Sequence, residues 1–195
     1  MYQGATASWN LRDRPMFDTL QTLMAHQIDA RAVIWAHNSH IGNALATAMG
    51  WQREFNIGEL ARTGYCDQAV LIGFGTDRGM VATAADWSAA RQIMRVRPGR
   101  EDSWEAAFRR TGFARSLTDW RGPKRRELAE ALSQTLLERA IGVVYRLQSE
   151  FASYYFEAVL ADQFDACVWF EESRAVTPLG PERPYGAPET WPFGL

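Results

Sequence analysis

The chain contains one lysine, Lys124, two cysteines and three histidines among 195 residues, and each scarcity closes a class of explanation. Cys66 and Cys167 have no metal-ligand spacing and no framework of partner cysteines. They read as reduced structural thiols, neither a zinc module nor a disulfide-stapled small domain. No apolar stretch approaches the roughly 20 residues that a membrane helix needs. The opening MYQGATASWNLRDRP lacks the basic-then-apolar order of a secretory leader, so the expected location is the cytoplasm, away from any membrane. A formal net charge of −2 gives no global attraction to nucleic acid or anionic lipid. The nucleophile elbow G-x-S-x-G, the P-loop, the dinucleotide fingerprint and the helical zinc motif His-Glu-x-x-His are all missing. No cofactor is expected.

What is present is an ordinary globular composition, 47% hydrophobic and 23% charged, with enough length for a substantial core. Met16, Phe17, Leu20, Leu23, Met24 and Ile28 lie at helical spacing, predicting a helix capped by Asp13 with Pro15 in its first turn. AVIWA (32–36) is a β-branched apolar run, as expected of a strand buried on both faces. NIGELARTG (56–64) predicts a short helix closing at Gly64. AVLIGFGT (69–76) and GMVATAAD (79–86) predict two strands joined through a tight TDRG turn. SWEAAFRRTG (103–112) runs from a serine cap to a glycine stop. RRELAEALSQTLLERA (125–140), with Leu128, Leu132 and Leu136 in one row, predicts a longer helix. IGVVY (141–145) and DACVWFEE (165–172) predict two further strands, with a helix or broken turns over 150–164.

Strands alternating with helices predict a layered α/β fold with a mostly parallel sheet of about four to five strands flanked by helices. The domain is expected over residues 1–177. Residues 178–195 form a Pro/Gly-rich tail, because five of the eight prolines and three glycines crowd that end.

The chemistry-bearing residues concentrate in VIWAHNSHIGNA (33–44), where an apolar run gives way to His37, Asn38 and His40. Imidazole titrates near neutrality, so one histidine can take a proton from water while a second donates to developing charge. An i, i+3 histidine pair can also face one ion, but a metal site needs a third or fourth ligand. Asp86, Glu171 and Glu172 could complete one only by tertiary coincidence, and no metal is expected. Asp86 closes one expected strand; Glu171, Glu172 and Arg174 close another. Each can orient a histidine, bind a polar substrate, or merely end a solvated strand. Ser39 offers a hydroxyl without the surroundings of a nucleophile turn. Residues 91–126 hold ten arginines and Lys124 against Glu101, Asp102, Glu105 and Asp119, with Trp104, Phe108, Phe113 and Trp120 interleaved. That pattern could contact nucleic acid. The favoured expectation is that the aromatics pack the segment down and the arginines pair with acids elsewhere or with a partner chain, so no nucleic-acid partner is expected.

SWNLRDRPMFDTL, VIWAHNSHIGNA, FNIGEL, AVLIGFGTDRG, VATAADW, MRVRP, LERAIGVVYR and SYYFEAVLADQFDACVWFEESRAVTPL together resemble, in order, the C-terminal half of the erythromycin esterase-like family. The resemblance implies a metal-independent hydrolase in which histidine activates water against an ester or lactone, a macrolide in the best-known members. It implies that His37 and His40 are catalytic, and that Arg12, Asp13, Asn38 and Asp86 bind substrate. Three departures stand out. Nothing matches the Glu-x-x-His block of the family's N-terminal half, Pro15 replaces a histidine of the RD-x-H-M block and is expected to shorten the first helix at its start, and Tyr154 replaces a histidine of the S-H-Y-F block. The resemblance therefore implies part of a site acting on a small-molecule ester, belonging either to the C-terminal part of a longer protein or to a truncated relative completed by a partner chain or across a homodimer. The alternative it leaves is a non-catalytic binding or interaction domain.

Overall fold

The computed structural model describes residues 5–177, so the Pro/Gly-rich segment 178–195 lies outside the described residues. Helix α1 (Ala5–His26) leads through an extended segment to α2 (Asn38–Ile41), α3 (Ala48–Trp51) and α4 (Ile57–Tyr65). Strands β1 (Ile72–Thr83) and β2 (Gln92–Val96) follow, then α5 (Trp104–Arg110), β3 (Arg115–Asp119) and α6 (Arg126–Ala131). The remainder is β4 (Thr135–Arg139), α7 (Glu150–Ser153), β5 (Tyr155–Val159), α8 (Leu160–Gln163) and β6 (Ala166–Ser173). No helix among the described residues is long and apolar enough to cross a membrane.

The main sheet has the order β2-β1-β6-β3, and β4 and β5 form a separate antiparallel hairpin. The layered α/β character holds, but the expected mostly parallel sheet does not. Only β1 and β6 run parallel; β2 and β3 pair antiparallel with their neighbours. The link from β1 to β2 is too short for the crossover that a parallel pair requires.

Four other expectations are corrected by pairing partners that the sequence alone does not reveal. The segment 32–36 is not a strand: it joins no ladder, and Val33 and Trp35 are 92% and 82% exposed. The TDRG stretch is not a turn but the middle of β1. Gly79 there has φ +128° and packs against the backbone of Ser173, which no larger residue could do. β1 pairs with β6 as far as Gly79 and with β2 from Gly79 onward. The expected long helix over 125–140 ends at Ala131, and its second half is β4, drawn into the hairpin with β5. The expected strand 141–145 is a loop, held by the isolated bridge Ala84–Val144 just beyond the end of β1. Conversely, α4 is capped by Asn56 through Glu59 N, and α5 by Ser103 through Ala106 N, while β6 lies where a strand was expected.

Pro15 does not shorten α1, and Asp13 does not cap it; both lie inside the helix. The first turns are fastened from outside. Asn10 binds Arg53 O and Phe55 N, and Asp13 accepts from Ile57 N, so tertiary contacts offset the hydrogen bond that proline removes. Of the expected apolar face only Phe17 and Leu20 are buried, with Met24 partly so, against Ile57 and Ala61 of α4.

The larger core gathers Leu71, Trp104, Phe108, Trp120, Leu160, Phe164, Cys167 and Trp169 on one face of the sheet. Cys167 and Trp169 of β6 point into it, so Val168 and Phe170 point the other way. On that second face Phe74, Val168 and Leu117 stand in one row across three strands. Ile72, Phe74, Leu117 and Phe170 are exposed there, and Trp35 rests on Phe74 with ring centroids 5.2 Å apart. The Arg-rich region is folded: Arg109 pairs with Asp77 and Glu101, Arg100 with Asp102 and Arg121 with Asp119, and Trp104, Phe108 and Trp120 are buried, but Phe113 is exposed and does not pack the segment down as expected.

Candidate active site

His37 caps α2, and His40 follows one turn later, so a single short helix presents both imidazoles. The helix is seated by Asn38, whose Nδ2 donates to Phe74 O at 2.8 Å and whose Oδ1 accepts from Phe74 N at 3.0 Å. Gly58 lets the start of α4 approach the backbone of Ile41 and Gly42, leaving no room there for a Cβ. The histidines therefore stand beside Phe74, near the start of β1 and at the border of the apolar sheet face, and the segment that precedes them is not a strand.

The two imidazoles are held differently. His40 Nδ1 lies 2.9 and 3.0 Å from the two oxygens of Asp13, which is fully buried and also accepts from Ile57 N at 3.1 Å. A carboxylate only accepts, so His40 donates from Nδ1 and its acceptor lone pair is on Nε2. No protein group among the described residues takes that atom. The ring stacks on Trp9, with centroids 4.7 Å apart and planes 5° from parallel, and the Arg12 guanidinium lies 4.7 Å from the centre of the Trp9 ring. His37 Nε2 lies 3.2 Å from Ile141 O, and the carbonyl can only accept, so that nitrogen carries the proton. Its Nδ1 accepts from Ser39 N and faces Ser39 Oγ at 2.9 Å. Desolvation lowers the His37 pKa below the ordinary imidazole value; the Ile141 carbonyl opposes this and His40 adds to it. His37 is a neutral imidazole with both nitrogens engaged.

The other expected residues divide. Arg12 is exposed beside the Trp9 ring, with Nε 4.0 Å from Asp13. Asp86 is exposed; it pairs with Arg146 at 3.3 Å and accepts from Trp87 N. Glu171 pairs with Arg78 at 2.8 Å, and both border a polar hollow of about 240 Å³ shared with Arg115, Glu172 and Arg174 but with neither histidine. Tyr154, in the histidine's place, accepts from Arg146 N through its hydroxyl and so ties down the loop after β4. Among the described residues no group of three or more His, Cys, Asp or Glu is placed to hold a metal ion.

Several residues around the site escaped sequence reading. Trp9 supplies the surface under His40. Glu138 on β4 accepts from Asn38 Nδ2 at 3.2 Å, and Glu105 of α5 and Gln163 of α8 border the same buried pocket. Arg139 is buried in an ion pair with Glu150 at 2.9 Å and donates to Thr76 O, Asp77 O and Arg97 O. LERA contributes to the family resemblance, but a helix over 125–140 gives no reason for Glu138 and Arg139 to face inward.

Two solved structures share the fold. One is a succinoglycan biosynthesis protein, 16% identical, with a TM-score of 0.67, matched over 87% of this chain and 40% of that one. The other is a protein from Bacillus cereus, 14% identical, with a TM-score of 0.69, matched over 89% and 41%. This chain thus spans less than half the length of either. The family model for erythromycin esterase matches residues 1–173. With RD at Arg12–Asp13 and both histidines inside that match, the chain belongs to the erythromycin esterase family.

Proposed function

We propose that the chain carries the histidine part of an ester-hydrolysing site, in which His40 activates water against the carbonyl of an ester or lactone. The observation that supports this reading best is the Asp13–His40 pair. A buried carboxylate fixes the tautomer and orientation of an imidazole whose other nitrogen is free to act, the arrangement general-base catalysis asks for. Water gives its proton to His40 Nε2 as its oxygen bonds to the carbonyl carbon. The resulting imidazolium is stabilised by Asp13 and returns the proton to the departing alkoxide. His37, neutral and donating from Nε2, is the second group of the site. Transfer of that donor from the Ile141 carbonyl to the substrate oxygen would stabilise the developing oxyanion. Arg12 and Asp86 keep exposed side chains and are assigned to substrate; Asp13 and Asn38 act through the histidines they position. The macrolide ring named by the family is the first substrate to try.

The opposite wall of the cleft is proposed to come from a second copy or another chain seated on the apolar face of Ile72, Phe74, Leu117 and Phe170. The same exposed face, with both His37 nitrogens occupied, also favours a second reading: an interaction domain that hydrolyses nothing. Hydrolysis of a chromogenic short-chain ester and of erythromycin by the purified chain, with and without chelator, separates the two. Chelator-resistant turnover that disappears in His40→Ala supports the hydrolase. A folded chain with no turnover on either substrate, alone or with its partner, leaves the interaction domain.

A further inference from the structure

Glu138 sits where three elements around His37 meet. Its Oε1 accepts from Asn38 Nδ2 at 3.2 Å, and Asn38 spends the rest of its amide on the Phe74 backbone of β1. Three residues beyond Glu138, the Ile141 carbonyl accepts from His37. One carboxyl thus joins α2, β1 and the segment after β4 into the frame that holds the His37 ring.

The second oxygen, Oε2, is buried without a hydrogen-bond partner. So is Oε1 of Gln163, whose amide neighbours Glu138 from α8. The Gln163 amide pulls on the carboxyl, yet Glu138 Oε2 and Gln163 Oε1 remain buried acceptors without a partner, and each such atom costs free energy. A proton on Glu138 Oε2 supplies the missing donor and can satisfy both atoms. The other groups facing the pocket agree. From α5 comes Glu105, a second buried carboxyl whose Oε2 also lacks a partner; from β6 comes the Cys167 thiol, whose pKa is raised by burial and by both glutamates. Arg139, the next residue along β4, lies against Glu105 and is paired with Glu150. Burial raises the Glu138 carboxyl to about 7 against the pull of Gln163; Glu105 adds to the rise and Asn38 opposes it.

We propose that Glu138 is a positioning residue for His37 and works as a neutral carboxylic acid, its carbonyl oxygen holding Asn38 and its hydroxyl donating to Gln163. The proposal rests on the hydrolase reading only for what His37 then does, so its test needs no turnover. In the full chain, Glu138→Gln reproduces the neutral acid, since an amide accepts from Asn38 with one end and donates to Gln163 with the other. At about pH 6, above the ordinary glutamate range, the infrared spectrum of the native chain minus that of the variant is expected to show a carboxylic-acid carbonyl band. The His37 ring signals in the nuclear magnetic resonance spectrum are expected to stay in place in Glu138→Gln and to move in Glu138→Leu, which removes the acceptor from Asn38. No acid band in the difference spectrum, or His37 signals displaced as far by glutamine as by leucine, would overturn the proposal. If the leucine variant does not fold, the difference spectrum of the glutamine variant decides alone. Failure of the hydrolase reading would show as absent turnover with these spectra unchanged.

Discussion

Asp13 and His40 lie 27 positions apart in the chain, yet His40 Nδ1 reaches both carboxylate oxygens, at 2.9 and 3.0 Å, across the seam between α1 and α2. The aspartate is wholly enclosed, so in the proposed hydrolysis it would act only through the imidazole. Asp13→Asn keeps the shape but replaces one acceptor oxygen by a donor, which invites the wrong histidine tautomer. Ester hydrolysis is expected to fall by about 10²- to 10⁴-fold in kcat, with KM little changed. Because Ile57 N also depends on this carboxylate, Asp13→Ala should lower stability by about 1–3 kcal/mol as well. Kinetics and thermal melts of the two variants check both parts.

His37 provides a pH test. Desolvation lowers its folded-state pKa below the ordinary imidazole value, so the native state takes up its proton less readily than the unfolded chain does. The unfolded state binds more protons between the two values, and stability rises with pH there. This contribution is therefore present above the unfolded imidazole value of about 6.5 and is lost as pH falls through the lower folded value. A His37→Gln variant should show a flatter stability profile across that acid window. Titration of the His37 ring signals should place its midpoint below that of an unfolded peptide; a midpoint above it would contradict the geometry.

The histidine pair of the candidate site was legible in the sequence, for chemical reasons. Histidines are scarce here, and AHNSH breaks an apolar run with polar residues, so the pair stands out whatever the backbone does. Its surroundings did not stand out because they depend on pairing between distant segments. Leu128, Leu132 and Leu136 repeat at helical spacing, yet the hairpin with β5 takes Thr135–Arg139 as a strand and turns Glu138 inward. AVIWA has the composition of a buried strand, but a strand needs a neighbour, and none of the described elements pairs with it. Asp13 beside Pro15 looks like a helix start; only the contacts of Asn10 and Asp13 with residues 53–57 show the helix continuing through.

Beneath the site, Arg139 and Glu150 form an ion pair with side chains 2% and 0% exposed, and Tyr145 donates to Glu150 at 2.6 Å. Removing one member strands the other charge out of reach of water. Arg139→Met is expected to destabilise the fold by about 3–5 kcal/mol. Replacing both, as Arg139→Met with Glu150→Leu, should cost less than the sum of the single changes, because neither charge is then left alone. Chemical denaturation of the four proteins in the cycle gives the coupling directly.

The exposed sheet face offers the last test. Leu117 is 69% exposed, Phe170 and Phe74 are about 40% exposed, and the three stand on one side of three adjacent strands. Contiguous apolar surface of this kind drives association in water. If a second copy supplies the opposite wall, the chain should sediment as a dimer whose proportion grows with concentration. Leu117→Lys with Phe170→Lys should then shift it to monomer. Both side chains point away from the core, so each substitution should alter folding stability by no more than about 0.5 kcal/mol. Any hydrolysis should fall in step with the dimer. A native chain that stays monomeric at high concentration and still turns over ester would place a complete site within one copy, and would show that the sheet face serves another purpose.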